Sequence, residues 1–432
     1  MVASLKKRIQ HLSYNQVSIL TGLAAFCAYT CMYAFRKAFA AGIYQNSHQI
    51  FGLDYKIWLV IVQVFGYTIS KFYGIKFIAA VNPKKRGLFT IILVAFSWLA
   101  LLAFAVIPPP YNIICLFFNG LPLGLIWGLI FGYLEGRRAT EFMAALLSVS
   151  LIFSSGFVKT VGRLIIMNFP ISEYWMPFFT GLFFFLPLLL FIQILEMIPE
   201  PNALDKASRT ERVSMTVSEQ KDFLIKFLPG IIFTVIIYIM LTIIRDLRDN
   251  FEVEIWADLG YKNVFIYSKI DTIVSILVLF AMGLLVLIKD HLKAFKLIHW
   301  SIIFGCFIAG LSTLLLHFDI INPVVWMTAV ALGLYLGYVP YNAIFFERMI
   351  AVFKTRSNVG FIMYIADAMG YLGSISVLLF KEFAQTKISW GNFFKESIIL
   401  VSIIGGISVL CSLIYFTKKA KNQVFISPIV LK

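Results

Sequence analysis

Residues Ile19–Lys37 read ILTGLAAFCAYTCMYAFRK, an apolar run that closes on two cations. Within it Tyr29, Tyr33 and Arg36 stand four and then three residues apart, the spacing of one helix face. An arginine at membrane depth is costly in free energy and rarely faces lipid; by default it marks the path of an ion or solute. Two phenols on the same stripe offer hydroxyls to whatever anion the guanidinium holds. The stretch therefore reads as the first span of a membrane carrier whose central site selects a negatively charged solute.

The rest of the chain has the composition this requires. It holds 432 residues, of which 60% are hydrophobic and only 14% charged, and this excludes a soluble enzyme. Apolar runs of about 20 residues recur twelve times, from about 16–39 to about 391–416, each long enough to cross a bilayer as helix. One polar stretch of mixed charge, Pro199 to Asp222, divides them evenly. The expected fold is all-α and integral to the membrane, with twelve transmembrane helices in two six-helix pseudo-symmetric bundles. The bundles fall at 1–198 and 226–432, with a linker at 199–225. A single constant offset pairs Tyr29 with Tyr238, Arg36 with Arg245, Gly124 with Gly333 and Gly128 with Gly337. Repeats of this kind place one arginine of each half at a shared midplane site.

The net charge of +15 does not point to nucleic acid, because of where it lies. Most Lys and Arg residues outside the spans gather in the two tails and in alternate connections. The opposite connections hold only Lys56, Lys262, Lys381, Lys387 and Lys395. This is the positive-inside pattern of a multi-pass protein of the cytoplasmic membrane with both termini in the cytoplasm. The expected partners are the lipid bilayer and a small anionic solute, on a monomer. All five cysteines sit in apolar segments as small hydrophobes, and no residue spacing suggests a metal or a cofactor. No nucleophile–base constellation suggests an enzyme.

Other polar residues lie inside the spans. The second carries Tyr67 and Lys71 one helical turn apart. The fifth carries Lys159 and Arg163, which either line the cavity, snorkel to the interface or pair with Glu173. The seventh ends in Arg245-Asp-Leu-Arg248-Asp249, where Arg248 and Asp249 close a gate or pair near the surface. Glu252, Glu254 and Asp258 then read as an exposed acidic rim. Lys269 and Asp271 in the eighth span and Asp367, near Tyr364, in the eleventh are candidates for coupling. Each acid is either a proton-binding site or a fixed counter-ion for Lys269, Lys159 or the arginines.

These motifs give the chain a resemblance to the organophosphate:phosphate antiporters of the major facilitator superfamily, which include glycerol-3-phosphate and hexose-phosphate carriers. The matching residues are Tyr29-x3-Tyr33-x2-Arg36-Lys37, Tyr67-x2-Ser70-Lys71-Phe72, Asn82-Pro83, Arg245 with an acid shortly after it, and Gly370-Tyr371-Leu372-Gly373. The resemblance implies that Arg36 and Arg245 clamp a phosphate by alternating access. It further implies that Tyr29, Tyr33, Tyr67, Lys71 and, by the internal repeat, Tyr238 line the site, with Tyr338 and Tyr371 as additional candidates. Phosphate-driven antiport of an organic phosphate is the implied activity. The residues alone leave open a proton- or sodium-coupled organic-anion symporter, for which Asp271 and Asp367 speak, and a transporter-like membrane sensor.

Overall fold

The computed structural model describes residues 2–44, 49–202, 204–205, 217–353, 359–384 and 388–426. The middle of the polar linker, Lys387 and the Tyr364 side chain fall outside that description. After a short helix, Val2–Gln10, come α1 (Tyr14–Lys37), α2 (Tyr55–Ala80), α3 (Arg86–Val106), α4 (Ile113–Leu134), α5 (Thr140–Asn168) and α6 (Met176–Met197). The second set is α7 (Val217–Asp258), α8 (Phe265–Val286), α9 (His291–His317), α10 (Pro323–Pro340), α11 (Val359–Ala384) and α12 (Trp390–Ile426). Among the described residues 11 helices are long and apolar enough to cross a membrane, and α11, with 26 residues, brings the long helices to twelve. Helices are the form such segments must take, because lipid offers no partner to an open backbone donor or acceptor.

Side chains close several helix starts, where the first turn leaves amide donors unpaired. Ser13 and Gln16 form a reciprocal capping box on α1. Asp290 caps α9 through the Lys293 amide (3.0 Å), and Asn322 caps α10 through the Val325 amide (2.9 Å). At the other end of α10, Pro340 has no amide hydrogen and its ring crowds the carbonyl four residues back. The chain accommodates it with a π-helical turn, Tyr341–Phe345, before resuming as Phe346–Phe353.

Two departures from the sequence reading bear on function. Helix α7 begins at Val217, inside the stretch assigned to the linker, and it runs on to Asp258 rather than stopping near Asp249. Its course breaks once, at Phe251, where φ is −120° and ψ 18°. The ring of Phe251 lies flat on that of Trp390, with centroids 3.6 Å apart. Glu252 and Glu254, beyond the break, are therefore helical residues paired with the first half, and Glu252 is fully buried rather than part of an exposed rim; Asp258 stays exposed and accepts the Gly391 amide at 2.8 Å.

Within the first half α1 packs on α5 and α6, and α2 on α4; within the second, α7 packs on α11 and α12, and α9 on α10. The halves meet along two seams, α5 against α8 and α2 against α11. At the first seam Gly156 is a requirement of space: a Cβ there would lie 2.3 Å from the Tyr267 carbonyl oxygen and 2.8 Å from an Asp271 carboxylate oxygen. The contact is backbone to backbone and cannot yield by a rotamer change.

Gly156→Ala is therefore expected to lower stability by about 1–3 kcal/mol, the usual cost of overpacking. Gly283→Ala in α8, where an added Cβ meets nothing within 4 Å, is expected to be neutral or to gain about 0.5–1 kcal/mol of helix propensity. Thermal unfolding of the two variants in detergent checks the contrast.

Candidate functional site

The last turn of a helix leaves four carbonyls without intrahelical donors. In α1 two of these are taken by neighbouring side chains: Asn119 Nδ2 of α4 donates to the Phe35 carbonyl (2.9 Å) and Gln63 Nε2 of α2 to that of Arg36 (2.6 Å). Gln63 and Asn119 are themselves bonded at 2.7 Å, and Asn119 is anchored on Ser97 of α3. Three helices thus fix the backbone that carries Arg36.

The Arg36 side chain projects over the face of Tyr67, with the guanidinium carbon 3.8 Å from the ring centroid and 5.9 Å from that of Tyr33. Arg36 is 4% exposed, and its Nε has no partner. Among the described residues no carboxylate or hydrogen-bond acceptor meets the guanidinium. Tyr67 in turn stands edge-on to Tyr371 of α11, with centroids 5.2 Å apart. Each of these tyrosines is the middle residue of its 26-residue helix, so the pair sits halfway through the bundle and at the seam between halves.

Arg245 approaches Tyr371 from the second half, 5.4 Å from its centroid. Unlike Arg36 it is engaged. Its Nη2 and Nε lie 2.7 and 3.2 Å from Asp246 Oδ1, and its Nη1 donates to the Tyr338 hydroxyl. Tyr338 is stacked on Tyr238 (5.5 Å), whose hydroxyl donates to Asp367. Asp367 also pairs with Lys71 across the second seam at 3.3 Å. Tyr29 lies deeper in the first half, edge-on to Trp127 at 5.1 Å. Arg36, Tyr67, Lys71, Tyr238, Arg245, Tyr338, Asp367 and Tyr371 are thus joined through contacts in one layer. The expectation of two free arginines facing each other is corrected: Arg245 is held by its own neighbour, Asp246, and a tyrosine pair stands between the two.

A second buried cluster lies where α1 ends beside the Phe251 break of α7. Asp249 accepts from Tyr33 Oη (2.7 Å) and Ser155 Oγ (2.5 Å), with Lys37 at 3.3 Å and Lys159 at 3.5 Å. Lys37 also donates to Asn250 (2.6 Å). Glu252 takes Lys159 at 2.7 Å and Arg248 at 3.2 Å; Arg248 continues to Asp271 at 2.5 Å. Lys56 of α2 reaches Glu254 at 2.5 Å and the Ala40 carbonyl at 2.9 Å. Cations and carboxylates are equal in number here, and every one of Lys37, Lys56 and Lys159 finds its partner in the other half.

Several expectations change accordingly. Lys159 is wholly buried on Glu252 and neither snorkels nor meets Glu173, whose carboxylate instead accepts the Ile43 and Tyr44 amides (2.8 and 2.6 Å). Asp271 serves Arg248, not Lys269, and Lys269 is exposed on α8 and belongs to neither cluster. At the opposite end of the bundle Arg348 pairs with Glu141 at 2.7 Å, again across the halves. Glu141 and Lys159 stand on the same helix, roughly 27 Å apart along its axis.

The comparisons with known proteins follow the geometry. A model described as "Family of unknown function (DUF5690)" matches residues 38–419. The chain belongs to that family. No curated protein sequence matches this DUF5690 chain. Among solved structures, one titled as the crystal structure of a D-xylose-proton symporter aligns with a TM-score of 0.61 over 93% of this chain and 97% of that one, at 15% identity. A likeness at that identity shows the fold, that of the major facilitator transporters, and nothing of the cargo.

Of the residues in these DUF5690 clusters, the sequence reading puts Lys56 in a connection and Glu252 and Glu254 on an exposed rim, and it assigns no role in the site to Lys37, Ser155, Asp246 or Asn250. A signal was present: Arg245, Arg248/Asp249 and Glu252 recur at three- and four-residue steps, which is helix periodicity continuing past the assumed end of the span.

Removing one member of a buried ion pair strands the other, at a cost of about 3–5 kcal/mol. Lys159→Met and Glu252→Gln are each expected to destabilise on that scale, and the double variant by less than the sum, with coupling above about 1 kcal/mol. A double-mutant cycle read by thermal unfolding measures it.

Proposed function

We propose that this DUF5690 chain is a secondary active transporter that moves an anionic solute, an organic phosphate or phosphate, across the cytoplasmic membrane by alternating access and as an exchanger. The observation that carries the reading is Arg36. It is buried with the aromatic face of Tyr67 beneath it, and among the described residues no carboxylate neutralises it. The planar guanidinium fork matches the two oxygens of a phosphate or carboxylate, a geometry that lysine lacks. A cation–π contact in a desolvated place supplies about 2 kcal/mol, less than the several kcal/mol lost when a cation leaves water. A bound anion supplies the remainder.

Alternating access follows from the charges that join the halves. The cluster around Asp249 and Glu252 ties one end of the bundle and the Arg348–Glu141 pair the other, so rocking about the tyrosine layer exchanges one set of bonds for the other. With Arg36 loaded, the moving layer is nearly neutral. Empty, it carries an uncompensated cation through the dry intermediate, which favours exchange over net leak. The basic tails and alternate connections place both termini in the cytoplasm and the Asp249 end outside. A proton-coupled symport is the second reading, favoured by the buried, unpartnered Oδ2 of Asp271. Loss of pH-gradient dependence in Asp271→Asn would select it.

The test of the first reading is Arg36→Lys. This variant is expected to fold and insert, yet to retain less than about a tenth of phosphate counterflow in proteoliposomes, since the charge survives and the fork does not. Counterflow at the wild-type rate removes Arg36 from the site.

A further inference from the structure

The charges of the central layer count to a definite sum. Among the described residues Arg36, Lys71 and Arg245 face Asp246 and Asp367, so the layer holds a single excess positive charge, and it falls on Arg36. Two free arginines would have given room for a dianion. Here Asp246 has already spent the charge of the second one, because its Oδ1 is held by both Nε and Nη2 of Arg245. The other oxygen of that carboxylate, Oδ2, is buried and accepts no hydrogen bond. A buried acceptor left open is costly, more so when charged. Arg245 cannot serve it, since its third nitrogen is committed to Tyr338.

From this we infer that the site selects a singly charged anion that also carries a hydrogen-bond donor, a hydroxylated organic acid in preference to a doubly charged phosphate ester. The inference rests on the anion-transporter reading above and revises its cargo, keeping a phosphate only in its singly charged form. One acidic group of the solute meets Arg36 and brings the layer to neutrality. A hydroxyl elsewhere on the same molecule donates to Asp246 Oδ2. A dianion in the same place would leave a surplus negative charge in a low-dielectric layer, with no further cation to meet it. A solute without a donor would leave Asp246 as it stands, one oxygen short.

Purified protein in nanodiscs, titrated with four probes by thermal shift, tests both halves of the inference. Gluconate, singly charged and hydroxylated, is expected to bind at least about tenfold more tightly than propionate, which has no hydroxyl, a difference of about 1.4 kcal/mol. Glucose 6-phosphate passes from monoanion to dianion through a second pKa of about 6. Its affinity relative to gluconate is expected to fall about tenfold between pH 5 and pH 7.5, and sulfate, always a dianion, to bind worst. The variant Arg245→Gln/Asp246→Asn keeps the excess charge and removes the carboxylate acceptor. In it the preference for gluconate over propionate is expected to shrink towards unity, with the pH trend of glucose 6-phosphate unchanged. Equal binding of gluconate and propionate by the native protein, or glucose 6-phosphate tightening relative to gluconate as pH rises, overturns the inference and leaves the transporter reading standing. If none of the four probes binds, the transporter reading falls and this inference with it. The native-protein titrations decide the matter even if the double variant does not fold.

Discussion

A guanidinium drawn out of water keeps its charge at any working pH, so its lost hydration must be returned by something nearby. In this chain that constraint organises the interior. Every buried cation near the seams except one is set against a carboxylate: Lys37 and Lys159 against Asp249, Arg248 against Asp271, Lys71 against Asp367, Arg245 against Asp246. Among the described residues Arg36 is the exception, and it rests on the face of Tyr67. The imbalance is localised to one side chain whose backbone is tied by Gln63 and Asn119 to two neighbouring helices. A charge left unpaired on a loosely held residue would simply move to a partner; this one is prevented from doing so.

The tyrosine pair explains how two bundles can share a site without fusing. Tyr67 and Tyr371 touch edge to face, a contact with a large apolar area and few directional bonds. Arg36 rests on one ring and Arg245 beside the other, so the cations of the two halves are joined through an aromatic contact rather than a direct bond. The bonds that do have direction lie elsewhere. They are the ion pairs of Lys159 with Glu252 and of Arg348 with Glu141, near opposite ends of α5. The tight backbone contact at Gly156 keeps α5 and α8 in register near the first of them.

How much of this the sequence disclosed depended on the range of the interaction involved. Span length and apolar content are local properties, and twelve runs of about 20 residues announced the helices directly. The Arg36 face was legible for the same reason, as a spacing within two turns of one helix. Pairings across halves were not, since nothing in the order of residues says that Lys159 will meet Glu252 rather than Glu173. The end of α7 was misjudged because charge was taken as a sign of solvent. Glu252 and Glu254 stay helical and inside because cations from α5 and α2 arrive to meet them. Asp246 was overlooked for the opposite reason: it is adjacent to Arg245 in the chain, and neighbours on a helix point apart unless a long side chain folds back, as Arg245 does.

The likeness to a sugar–proton symporter at 15% identity separates what the fold provides from what the residues add. The fold brings the midpoints of α2 and α11 together, and one fold serves proteins of different function. Selectivity comes from what fills the layer. A neutral sugar asks for amides and hydroxyls, and a cation in its site would have to be cancelled. In this chain three basic side chains are brought to the layer and only two are cancelled, by acids that cost nothing in reach because one is the next residue and the other lies directly across the seam. The remaining charge, on Arg36, is therefore a feature of how the described residues of the two halves are paired.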